Sequence, residues 1–233
     1  MSTTTTDRVG GTDQIGSRST RQLGGWLTIL GAVGMLVGAG FSFASGADAD
    51  VAIESGDVAA YLTAANDAST LLVINLSVWI VAICVLCVGG LLLAGTSEDG
   101  VARRVSAFAF TTGAGTAVMF FSLWMGVVLA LAPAYATGES VESVALALLH
   151  GAVNADWVIT VLILSVGGGF MVLSGQTTWA PNWLVRWAYL AFVAGAFALA
   201  GIAVGFRSLP IAVVPIGLGM LIAAGTVAVR GRV

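Results

Sequence analysis

Few residues in this chain could do chemistry. Cys84 and Cys87 form a C-x-x-C in Ile83-Cys84-Val85-Leu86-Cys87, the spacing of a dithiol redox pair. His150, Asn154 and Asp156 lie together in Leu149-His150-Gly151-Ala152-Val153-Asn154-Ala155-Asp156-Trp157. A histidine beside an acid could relay protons or respond to pH. Asn75 is the other polar group of note, an amide inside a long apolar run.

Each has a plainer reading. Cys84 stands about 13 residues into its apolar run, roughly 20 Å along a helix. Apolar neighbours there make a thiol inert, and no third cysteine is present to exchange with it. Asn154 or Asp156 is placed to cap a helix that begins at Trp157, with His150 ending a surface helix just before it. Should one helix run through the whole stretch, His150 and Asn154 would share a face. Asn75 is expected to make an interhelical hydrogen bond near an interface.

The recognisable catalytic patterns are missing. The sequence has one histidine, no G-x-S-x-G, no H-E-x-x-H and no glycine-rich phosphate loop. Zinc sites take three or four ligands from Cys, His and carboxylates, which this chain does not bring together in sequence. No catalytic residue, metal or cofactor is expected. No basic face exists to suit a nucleic acid.

The elements that must position these groups follow from composition. Of 233 residues, 58% are apolar and 9% charged, against about 25% charged in soluble domains. Six apolar segments approach the roughly 20 residues needed to cross a bilayer: Leu23–Phe43, Leu71–Gly95, Ala107–Leu131, Trp157–Leu173, Trp187–Phe206 and Ile211–Val229. The expected fold is all-α, a polytopic bundle of six transmembrane helices with two short outer surface helices. Residues 1–22, rich in Ser, Thr, Gly and Arg, are expected to form a disordered cytoplasmic tail, and residues 23–233 a single transmembrane domain. One surface helix is predicted over Val58–Ala65, capped by Asp57. The other is capped by Thr137 and carries Val141, Val144, Ala145, Leu148 and Leu149. Gly34-x-x-x-Gly38 and Gly201-x-x-x-Gly205 are packing motifs. They suit contacts inside one bundle, and the alternative use is a homo-oligomer. The Gly167-Gly168-Gly169 run is read as close helix contact rather than a broken helix.

Charge sets the expected orientation. All nine basic residues are arginine, and eight of them (Arg8, Arg18, Arg21, Arg103, Arg104, Arg186, Arg230, Arg232) fall on one side of a six-span chain. Only Arg207 falls on the other. The positive-inside rule then puts both termini in the cytoplasm of a multi-pass plasma-membrane protein. Asp48, Asp50, Glu54, Asp57 and Asp67, with Glu139, Glu142 and Asp156, fall outside.

The turn Ala180-Pro181-Asn182-Trp183-Leu184, after Val172-Leu173-Ser174-Gly175 and before Ala194-Gly195, is similar to that of an uncharacterised six-helix bacterial membrane family. That family is classed as a domain of unknown function. The resemblance implies the six-helix fold and carries over no functional residue. The leading functional expectation is a non-enzymatic membrane protein with a regulatory, stress-related or structural role and lipids as its surroundings. The alternative is a small-solute or proton-coupled transporter with Asp156, His150 and Asn75 near an outward vestibule. An intramembrane enzyme is the third reading. A transporter needs a polar cavity reaching the membrane midplane, and a scaffold needs none.

Overall fold

A computed structural model describes residues 9–97, 100–204 and 210–231, with side chains from residue 18 onward. Every regular element among the described residues is helical. In chain order they are α1 (Val9–Ser45), α2 (Ala49–Ser55), α3 (Val58–Asp67), α4 (Ser69–Gly95) and α5 (Gly100–Gly126), the last running through a π-helical turn at Val127–Leu131 into α6 (Ala132–Ala136). Then follow α7 (Glu142–Thr160), a π-helical stretch at Val161–Gly167 leading into α8 (Gly168–Ser174), α9 (Asn182–Ala203) and α10 (Val213–Arg230). Six helical runs are long and apolar enough to cross a membrane: Arg18–Ser45, Ser69–Gly95, Gly100–Ala136, Glu142–Ser174, Asn182–Ala203 and Val213–Arg230. The protein is an all-α membrane bundle.

Charge marks its two ends. Arg18 and Arg21 near the start of α1, Arg103 and Arg104 in α5, Arg186 in α9 and Arg230 at the end of α10 define an arginine end. Asp48, Asp50, Glu54, Asp57, Glu139 and Glu142 define an acidic end. Arg8, Arg207 and Arg232 lie outside the described residues.

Three expectations change. Helix α1 starts at Val9, so residues 9–22, read from sequence as disordered tail, are helical, and the first apolar span runs from Arg18. No proline interrupts this stretch, and extending an existing helix is far easier than nucleating one. Residues 1–8 of that tail lie outside the described residues. Asp57 does cap α3, accepting from Ala60 N at 2.9 Å, but the second surface helix does not stand apart. Residues 142–174 form one unbroken helical run, and Thr137 ends α6 with its hydroxyl donating to Ala134 O at 2.8 Å. An apolar stripe from Val144 to Val153 suits burial against neighbours as well as it suits a membrane surface. In its place the first connection supplies an unforeseen helix, α2, capped by Asp48, which accepts from Val51 N at 3.1 Å.

The third and fourth spans, 37 and 33 residues, are longer than the roughly 20 that cross hydrocarbon. Their surplus rises at the acidic end, where α2 packs on α7 and α3 packs on α6 and α7. Pro133, near the start of α6, has no N–H to continue the α pattern. The π turn immediately before it accommodates the mismatch.

Small residues set the helix spacings. On α1, a Cβ at Gly24 would lie 3.0 Å from Gly89 O, one at Gly31 2.5 Å from Leu86 Cβ, and one at Gly34 2.9 Å from Ala82 Cβ, while Gly38 abuts the Trp79 ring. The Gly34–Gly38 motif is therefore engaged within the chain, against α4. A Cβ at Gly25 would lie 2.7 Å from Gly225 O, and one at Gly225 2.7 Å from Gly25 O, which closes α1 on α10 at the arginine end. Gly201 is buried on α9, and Gly205 lies outside the described residues. The glycine triplet leaves its helix unbroken. Successive residues point about 100° apart, so Gly167 receives Phe110 of α5, Gly168 receives Leu221 and Met220 of α10, and Gly169 receives Phe192 of α9.

Candidate functional site: an acidic, aromatic chamber

Helices α1 and α10 touch at the arginine end and leave space between them toward the acidic end. A partly enclosed chamber of about 740 Å³ fills that space, roofed by α2 and walled by α1, α4, α5, α7 and α10. That volume is within the roughly 300–1,000 Å³ usual for small-molecule pockets. The chamber extends down to Ile83, fourteen residues past the start of α4, or about 21 Å along that helix.

One wall is aromatic. Trp79 and Phe121 have ring centroids 5.5 Å apart, and Phe121 and Trp124 6.4 Å. The indoles are held by their N–H groups: Trp79 Nε1 donates to Met35 O at 3.0 Å and Trp124 Nε1 to Tyr61 Oη at 2.8 Å. Such bonds fix ring orientation while leaving the ring surface available. Burial pushes the Tyr61 phenol up to about 12, with the Trp124 bond pulling the other way and the Asp48 charge adding to the rise.

The opposite wall is acidic. Asp50 and Glu54 stand at i,i+4 on α2 and so share a face, while Ala49, Ala52 and Ile53 bury the other. Asp156 reaches the chamber from α7, and Trp157 Nε1 is 3.5 Å from Asp50 Oδ1. Asp48 and Glu54 are exposed at the rim. No lining residue among those described is basic. Thr160, one turn below Asp156, also lines the chamber. It is 8% exposed, and its hydroxyl has no hydrogen-bond partner among the described residues.

The sequence candidates divide. Asn75 lines the chamber wall and is buried, its Nδ2 donating to Gly38 O at 2.7 Å, the interhelical bond expected of it. Asp156 does not cap a helix, because α7 begins at Glu142 and passes straight through it. His150 and Asn154 do share a face, as a continuous helix requires, and both are exposed. Asp156 is two residues beyond Asn154, about 200° round the helix, so it turns inward without them. No His150–Asp156 pair forms. Cys84 and Cys87 are free thiols within α4, Cys87 buried and Cys84 partly so. Among the described residues no cluster of His, Cys, Asp or Glu has metal-ligand geometry.

Asp50, Glu54, Trp79, Trp124 and Thr160 are chamber residues that the sequence does not single out. One signal points toward Asp50 and Glu54: they stand four residues apart, offset from Ala49, Ala52 and Ile53, as on the polar face of an amphipathic helix. No family model, curated protein or solved structure matches this chain.

Proposed function

We propose that the protein is a non-enzymatic, multi-pass protein of the bacterial plasma membrane that takes small solutes into the chamber from outside, as a transporter or solute receptor does. Its acidic end faces outward and both termini are cytoplasmic, a reading supported by the arginines gathered at the opposite end. The observation that carries the proposal is a chamber of about 740 Å³, walled mainly by apolar and aromatic side chains with Asp50, Glu54, Asn75, Asp156 and Thr160 among them, that reaches roughly half-way down α4. A purely structural bundle gains nothing from leaving such a space unfilled, since packing is what holds membrane helices together. This favours the solute-handling alternative over a scaffold.

Filling the space tests the proposal. Ala39 and Thr160 both line the chamber, so the double variant Ala39→Trp/Thr160→Phe places two rings inside it. In a ligand-observed NMR screen of water-soluble fragments, a subset should bind the purified wild-type protein and none of that subset the filled variant. The filled variant should melt within a few degrees of wild type. If no fragment distinguishes the two proteins, the chamber is not a solute site.

A further inference from the structure

We infer that the arginine end carries a site for the headgroup phosphate of an acidic phospholipid, held by Arg18 and Arg21 of α1 where that helix meets the end of α10. The site lies at the opposite end of the bundle from the chamber and does not depend on the solute-handling reading.

Arg18 and Arg21 are three residues apart and so share a face of α1. Both reach the same point. A Cβ at Gly231, the residue that ends α10, would lie 3.7 Å from Arg18 Nη2 and 3.8 Å from Arg21 Nη2. The two Nη2 atoms are therefore no more than 3.7 plus 3.8, or 7.5, Å apart. Gly231 is left-handed, with φ +61°, and brings no side chain to that point. Two charge-assisted bonds of about 2.8 Å, to different oxygens of one phosphate, span a gap of this size.

Capping α10 does not use up these charges. Cations are favoured at a helix C-terminus, but α10 supplies its own in Arg230, exposed in its last turn. The Val229 carbonyl is taken by Gln22, whose Nε2 donates to it at 3.3 Å. Neither Arg18 nor Arg21 has an ion-pair partner among the described residues. Arg21 is partly buried, and its Nε is covered without a hydrogen-bond partner among those residues. Three positive charges thus gather at one corner, one of them partly withdrawn from water. A charge withdrawn from water without a partner is costly, and an anion seated there offsets the cost.

Position favours a lipid as the source of that anion. The first span begins at Arg18 and the last ends at Arg230, so the site is level with the headgroups. Basic pockets between helices at that level suit anionic headgroups. Leu23, Trp26 and Leu30 are exposed along the adjoining face of α1 and give acyl chains an apolar surface beside the site.

Native mass spectrometry of the full chain in detergent, titrated with phosphatidylglycerol or phosphatidylcholine, tests the assignment. Both lipids carry a phosphodiester, but only the first has a net negative charge. One phosphatidylglycerol should be retained per chain, about tenfold more tightly than phosphatidylcholine. Arg18→Gln/Arg21→Gln should abolish most of that preference. Arg18→Gln alone, at an exposed position, should weaken it about fivefold, and it decides the matter if the double variant does not fold. Arg103→Gln/Arg104→Gln removes two exposed arginines from the same end and should leave the preference intact. Inorganic phosphate in excess should not displace the lipid. Equal retention of the two lipids, an undiminished preference in Arg18→Gln, or equal losses in both double variants would refute a defined lipid site. Displacement by inorganic phosphate would show a soluble ligand and overturn the lipid assignment.

Discussion

Gly89→Val is expected to destabilise the bundle by about 3 kcal/mol or more, enough to lose most of the folded protein in detergent. Inserting methylenes into a packed core usually costs about 1–3 kcal/mol, because neighbouring side chains must shift. Here the neighbours are largely main chain. A Cβ at Gly89 would lie 2.5 Å from Thr28 N, 2.7 Å from Thr28 Oγ1 and 2.8 Å from Gly24 O. Thr28 is fully buried, with its hydroxyl donating to Gly24 O at 2.8 Å. Neither α1 nor that bond can yield without separating α1 from α4, and with them the Asn75 and Trp79 hydrogen bonds that shape the chamber wall. Gly115, where an added Cβ would meet nothing within 4 Å, is the control. Gly115→Ala should be neutral or slightly stabilising, since glycine is a poor helix former. Melting temperatures of both variants, read by circular dichroism, check the pair. Equal melting would mean that α1 and α4 are not in contact at Gly89.

A second large effect is expected at alkaline pH. Tyr61 lies on α3, outside the spans, and its folded pKa is about 12 against 10.0 for the free group, chiefly because burial disfavours the phenolate. Below pH 10 the phenol is neutral in both folded and unfolded chains, so the stabilisation is fully present. Between pH 10 and 12 the unfolded chain gives up the proton and the folded chain keeps it, and stability falls with rising pH. The full loss is about 3 kcal/mol, two pKa units at about 1.4 kcal/mol each. Tyr61→Phe should lower stability at neutral pH by about 1 kcal/mol, because Trp124 Nε1 loses its acceptor. It should also flatten the profile between pH 10 and 12. A wild-type profile no steeper than that of Tyr61→Phe would contradict the burial of this phenol.

The parts legible in sequence are those set by local pattern. Six apolar runs give six spans, because hydrocarbon imposes a length that composition alone reveals. Asp57 before Val58 reads as a cap, and it is one because the helix does start there. Asp156 before Trp157 shows the same local pattern and misleads for that reason. Whether it caps depends on whether the preceding residues are already helical, and Val144–Val153 are apolar enough to continue inward from Glu142. The chamber is not legible at all. Its walls come from α1, α2, α4, α5, α7 and α10, and no single segment records where six elements fail to meet. Asn75 stands out as a costly amide, but its bond to Gly38 O spans 37 residues. The glycine triplet reads as a contact site, but not as three contacts with three different helices.

Accessibility of Thr160 tests the central claim most directly, that a chamber opens from the outer face and reaches deep into the bundle. In a Cys84→Ala/Cys87→Ala background, a single cysteine replaces Thr160, and a membrane-impermeant maleimide is added to intact cells. Thr160→Cys should be labelled from outside, and adding Ala39→Trp should slow the labelling severalfold. Leu164→Cys, fully buried one turn further along and packed toward Gly217 rather than the chamber, should stay unlabelled. A Thr160→Cys protein that resists the reagent in intact cells, or is labelled only in inside-out vesicles, would contradict the account.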